Sequence, residues 1–157
     1  MSLQTLEPVL AAHRFFHGLD PAFLQILVGC SKNIRFASGD IVFTEGEPAD
    51  WFYLLRAGRV TLEMAVPGRG HVVVQTVEEG EVLGWSWLFP PYRWTVTARA
   101  TEPTRVVAMD GSCLRQKCEN DAKLGYELMK RFAGVMVERL HAARIQMLDV
   151  YGNLRTK

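Results

Sequence analysis

The stretch FASGDIVFTEGEPADWFYLLRAGRVTLEMAV, Phe36 to Val66, decides the fold. Three runs rich in β-branched and aromatic residues, DIVFTE, WFYLL and RVTLEMAV, are set apart by ASG, EGEPAD and RAG, which carry the Gly, Pro and Asp of turns. Reading outward, NIRF precedes this stretch, and HVVVQTV, TVTARA and TRVVAM follow it, with VPGRG and EEGE as further turns. Turn chemistry recurring about every ten residues predicts an antiparallel sandwich or small barrel.

Both flanks read as helical. LEPVLAAHRFF and AFLQILVGC are short apolar stretches separated by HGLDP, where Asp20 can cap a helix that has Pro21 in its first turn. Beyond Ser112 the β pattern stops, and a Pro-free periodicity from Asp121 to about Tyr151 predicts one long helix with Asp121 as its cap. Along it Met129, Phe132, Met136, Leu140, Ala143, Met147 and Val150 recur at intervals of 3, 4, 4, 3, 4 and 3. That alternation predicts a seam between two helices, hence a homodimer with Met129, Phe132, Met136, Leu140, Ala143 and Met147 at its interface. A second face with Leu124, Leu128 and Val135 is suited to cover the β unit, and Gly125 and Gly134 suggest close helix approach.

With 157 residues, 48% hydrophobic, the chain has material for one core. The expected organisation is a single domain over 1–157, with N-terminal helices in 1–31, a β-roll in 32–110 and C-terminal helices in 111–151. A net charge of +1, without a basic block, points to neither nucleic acid nor a membrane. No apolar run approaches the roughly 20 residues that cross a bilayer, and the first residues lack a signal-peptide pattern, so a cytoplasmic location is expected. Cys30, Cys113 and Cys118 form no CxxC pair, and their odd number suggests free, packed thiols. His13 and His17, four apart, have no third ligand nearby, so no metal is expected. Neither GxSxG, HExxH nor a phosphate loop is present, and the chain reads as no enzyme.

The GD turn at Gly39 and Asp40, EGEPAD, FYLL at 52–55, GRV at 58–60, GEVLG at 80–84 and TRVVAMD at 104–110 together resemble the cyclic-nucleotide-binding domain of catabolite-activator and Fnr-type regulators. The resemblance covers roughly residues 13 to 150. It implies a mainly β fold with flanking helices: a double-stranded jelly roll followed by a long, often dimerising C-terminal helix. It also implies a regulatory rather than catalytic role. The transcription factors of the family place a helix-turn-helix after that helix; with the chain ending at Lys157, no DNA-binding domain and no direct nucleic-acid contact are expected.

The resemblance further implies a phosphate-binding cassette in which a Glu after a Gly holds the ribose and an Arg some nine residues on pairs with the cyclic phosphate. Here Gly84 is followed by Trp85, and Trp94 stands at the Arg position, inside GWSWLFPPYRW. Losing two charge-assisted contacts weakens binding by roughly two to four orders of magnitude. Pro90 and Pro91 also argue against the cassette's short helix. The candidate ligand-facing set is Gly84, Trp85, Ser86, Trp87, Arg93, Trp94 and Thr95. Its aromatics either line a pocket for a flat ligand or fill the pocket themselves, with filling favoured because large aromatics more often pack than recognise. The leading expectation is a regulatory module without usual cAMP or cGMP binding that works through a protein partner. The alternatives are a genuine cAMP or cGMP binder, with Arg93 turned inward by a bulge, and a ligand-free accessory subunit of a redox enzyme.

Overall fold

The computed structural model describes residues 6–155, with side chains for 6–152, so the outermost residues of the expected 1–157 span lie outside the described residues. Helix α1 (Glu7–Ala12), a 3-10 turn (Arg14–Phe16) and α2 (Pro21–Val28) open the chain. Asp20 does cap α2, its Oδ1 accepting from the Ala22 N–H at 2.9 Å with Pro21 in the first turn.

Eight strands follow: β1 (Ser31–Phe36), β2 (Ile41–Phe43), β3 (Trp51–Ala57), β4 (Arg59–Val66), β5 (Gly70–Glu78), β6 (Val82–Leu83), β7 (Thr97–Ala100) and β8 (Thr104–Asp110). They form two four-stranded antiparallel sheets, ordered β1-β8-β3-β6 and β2-β7-β4-β5, which is the expected jelly roll. Phe52 to Leu55 of β3 are buried without alternation, because this inner strand faces the roll on one side and the helices on the other. Between β3 and β4, Gly58 has φ +103° and a Cβ there would lie 2.4 Å from Thr104 Oγ1, so only Gly fits the turn.

Asp110 caps α3 (Gly111–Asn120), and Asp121 Oδ1 accepts from the N–H groups of Lys123 and Leu124 at 3.1 and 3.2 Å, starting α4 (Ala122–Arg155). Thirty-four residues make α4 about 50 Å long. Its first half belongs to the core, with Leu124, Leu128 and Phe132 buried. Phe132 meets Phe15, Phe52 and Trp87 edge-on at 5.0, 4.8 and 5.4 Å, so it leaves the predicted dimer seam. The heptad template admitted Phe132 because it lies equally on the stripe 124, 128, 132, 135. From Val137 to Gly152 every side chain except Arg139 is exposed. Gly125 fits the α3–α4 approach, where a Cβ would sit 3.1 Å from the Cys118 carbonyl oxygen, whereas a Cβ at Gly134 meets nothing within 4 Å.

The cysteine expectation is corrected. Cys30 and Cys113, separated by 83 residues, are joined by a disulfide, and Cys118 alone is free. The antiparallel pairing of β1 with β8, which sets Ser31 opposite Met109, brings the two thiols together, and no local spacing announces it.

His13 is buried at the start of the 3-10 turn with both ring nitrogens engaged. Its Nδ1 accepts from the Phe15 N–H at 3.1 Å and Nε2 donates to the Leu55 carbonyl at 3.1 Å, which defines a neutral imidazole. Burial pushes its pKa below the ordinary 6.5, against the Leu55 hydrogen bond and with a smaller push from Arg14. A depressed folded-state pKa means stability that is complete above 6.5 and lost as pH falls through the folded value. The melting temperature, followed by circular dichroism between about pH 8 and pH 5, is therefore expected to drop below neutrality. His13→Asn, which keeps an acceptor for Phe15 but does not titrate, should flatten that drop; an identical pH profile would remove His13 as its source.

Candidate functional site

Strand β6 ends at Leu83, and the segment from Gly84 to β7 contains turns but no helix. The Leu88 N–H donates to the Trp85 carbonyl at 3.0 Å and the Tyr92 N–H to the Phe89 carbonyl at 2.9 Å, with a cis Pro90–Pro91 bond between. Two adjacent prolines thus reshape the cassette as the sequence suggested.

Gly84, Trp85, Ser86, Trp94 and Thr95 of the candidate set border one cleft of about 110 Å³, closed below by Phe43 and Leu62. Small-molecule pockets usually offer roughly 300–1,000 Å³. Trp94 forms one wall of this cleft. Its side chain is 5% exposed and lies flat on Phe43, with ring centroids 3.7 Å apart and planes inclined by 13°. The backbone around it is fixed, because its N–H donates to the Glu47 carbonyl at 3.0 Å and its carbonyl accepts from the Gly46 N–H at 2.8 Å. Gly84, with φ +82°, has the indole directly against it: a Cβ there would come within 2.3 Å of Trp94 Cζ3.

Two members of the candidate set are elsewhere. Trp87 is fully buried in the helix-facing core, 5.9 Å from Phe52 and 5.4 Å from Phe132 between ring centroids, because the turn after Gly84 sends it away from the roll interior. Arg93 is exposed and donates from Nη1 to the Gly46 carbonyl at 2.9 Å; its bridge to Pro48 turns it outward, and no bulge brings it in. Arg99 likewise points away and pairs with Glu63 at 3.4 Å. Phe89 and Tyr92 remain on the surface, Tyr92 beneath the Arg115 guanidinium at 4.4 Å.

The cleft has one cation that the sequence reading missed. Arg139 of α4 donates from Nη2 to the Val82 carbonyl, lies 4.9 Å over the Trp85 ring and borders the cleft. Burial pulls its pKa below the usual guanidinium value, opposed by Glu81 and Glu138. The signal was present in the sequence: Arg139 continues the buried stripe Leu124, Leu128, Phe132, Val135 by a further four residues. No group of three or more His, Cys, Asp or Glu suited to a metal occurs among the described residues, and His13 has no free nitrogen to offer one.

The family model of the cyclic nucleotide-binding domain matches residues 33–121. Over 145 residues the chain is 24% identical to a CRP-like cAMP-activated global transcriptional regulator of Mycobacterium tuberculosis, covering 92% of this chain and 63% of that protein. The chain thus spans less than two thirds of that relative. It is 33% identical over 94 residues to the acetyltransferase Pat of Mycolicibacterium smegmatis, covering 60% of this chain and 28% of that enzyme. Among solved structures, a protein of Geobacter metallireducens described as cyclic nucleotide-binding is 36% identical, with a TM-score of 0.78 over 86% of this chain and 98% of the other.

Proposed function

This chain belongs to the cyclic nucleotide-binding domain family, and from that premise we propose that it is a non-catalytic regulatory module whose nucleotide pocket is occupied by its own Trp94. The observation that carries this reading is the flat stack of Trp94 on Phe43 against Gly84, which leaves about 110 Å³ of cleft. Its support is chemical as well as steric. Trp85 and Trp94 stand where the family has an anion acceptor for the ribose and a cation for the phosphate, and Arg93 is committed to the Gly46 carbonyl. Calorimetric titration with cAMP and cGMP, followed alongside by Trp fluorescence, tests it. Absence of heat up to millimolar ligand is the expected result, and micromolar binding would restore the nucleotide-binding alternative.

Output then depends on protein contacts. The second half of α4 supports a homodimer, since Leu140, Met147 and Val150 are 53%, 59% and 59% exposed along one seam, and a helix bearing so much exposed apolar surface calls for a partner. With Phe132 withdrawn, the proposed interface is Met129, Met136, Leu140, Ala143 and Met147. Leu140→Glu with Met147→Glu should convert a dimer to a folded monomer in sedimentation velocity, because both side chains face solvent within the chain. A wild-type monomer, or a dimer unchanged by the two charges, would remove α4 as the interface. No helix among the described residues is long and apolar enough to cross a membrane. A cytoplasmic location is supported by the transcriptional role in the name of the M. tuberculosis relative, no longer by the cysteines.

A further inference from the structure

A second cavity lies outside the β-roll cleft. It is a groove of about 340 Å³ between α4, the 3-10 turn and the β5–β6 turn, large enough for a small metabolite. Three guanidinium groups from separate places border it: Arg14 on the 3-10 turn, and Arg131 and Arg139 on α4. None of them forms an ion pair among the described residues. Arg14 is exposed, with its guanidinium carbon 3.9 Å from where a Cβ on Gly80 would be, so it hangs over the turn that closes one end. Arg131 uses Nη1 on the Phe15 and His17 carbonyls, at 2.8 and 3.0 Å, while its Nε is buried with no partner among the described residues. Arg139 spends Nη2 on Val82. A buried guanidinium nitrogen left without a partner, as at Arg131, is costly. The rest of the wall includes Phe15, Gln75, Val82, Val135 and Ala142, and Gly134 contributes no side chain, so α4 opens onto the groove at that point. Among the described residues, Glu81 and Glu138 are the only acidic ones lining it, leaving a cationic excess.

We propose that this groove is an anion site for a small phosphate monoester, whose dianionic group is held by Arg14, Arg131 and Arg139 and whose body rests on Phe15 and Val135. Planar guanidinium forks match phosphate oxygens. Because the arginines belong to α4 and to the turn beneath it, occupancy would clamp the helix onto the roll and favour one helix position. The groove shares Arg139 with the β-roll cleft, whereas Arg14 and Arg131 border the groove and not that cleft, so an Arg14 variant tells the two apart.

The test is calorimetry of the full chain with inorganic phosphate against sodium chloride at matched ionic strength. Saturable binding in the millimolar range or tighter is expected, weakened roughly tenfold or more in Arg14→Ala and in Arg139→Gln. Arg14 is exposed, so its loss leaves folding intact and the comparison valid. Trp94→Phe, which keeps the β-roll cleft filled and adds no cation, should leave phosphate binding unchanged. Absence of saturable heat, or binding that Arg14→Ala leaves intact, overturns the proposal. Binding that survives Arg14→Ala but is lost in Arg139→Gln would place phosphate in the β-roll cleft, which Arg139 also borders, instead.

Discussion

Phe132→Ala is expected to lower folding stability by about 3–5 kcal/mol, read as the shift in a urea unfolding curve. Phe132 is 1% exposed and its ring edge meets Phe15 from the 3-10 turn, Phe52 from β3 and Trp87 from the reshaped cassette. It therefore joins four parts of the chain at one point, and truncation leaves a cavity that no one of them can close without moving the others. Leu140→Ala, on a side chain 53% exposed within the chain, should cost no more than about 0.5 kcal/mol at concentrations where the protein is monomeric. This contrast separates core from seam on the same helix. A loss below about 1 kcal/mol for Phe132→Ala would mean that α4 docks loosely and that its first half is not part of the core.

The same helix shows what the sequence could and could not tell. Strands and turns were legible because their signals are local: β-branched runs, and glycines such as Gly58 whose backbone no other residue tolerates. Helix starts were legible for the same reason, since Asp20 and Asp121 cap through amides two or three residues away. Phe132 was ambiguous because a 3/4 alternation fits a seam and a core stripe alike, and only the position of the sheet decides between them. Cys30 and Cys113 were misread because strand pairing, not spacing, unites them. At the cassette, the substitutions Trp85 and Trp94 stood out from the residues alone. The outward turn of Arg93, the inward turn of Trp87 and the arrival of Arg139 from α4 all depend on where distant backbone passes.

Trp94→Arg should turn a chain indifferent to cyclic nucleotide into one stabilised by it. Removing the indole ends the stack on Phe43 and frees the space against Gly84, while the new guanidinium sits in a cleft lined by Phe43, Leu62 and Gly84. Without ligand that buried charge is unpaired and the variant should be less stable than wild type. A cyclic phosphate supplies the missing anion, so cAMP at about a hundred times Kd should return about 2.7 kcal/mol, or roughly 5–10 °C in melting temperature for a chain of this size. Trp94→Phe separates charge from space: it keeps an apolar filler and should show no nucleotide-dependent shift. If cAMP raises the melting temperature of wild type as much as that of Trp94→Arg, the indole moves aside on binding, and Trp94 is a stacking wall of a working pocket rather than its occupant. If neither responds, Trp85 at the ribose position is the stronger obstacle, and Trp85→Glu combined with Trp94→Arg should then recover both charge-assisted contacts together.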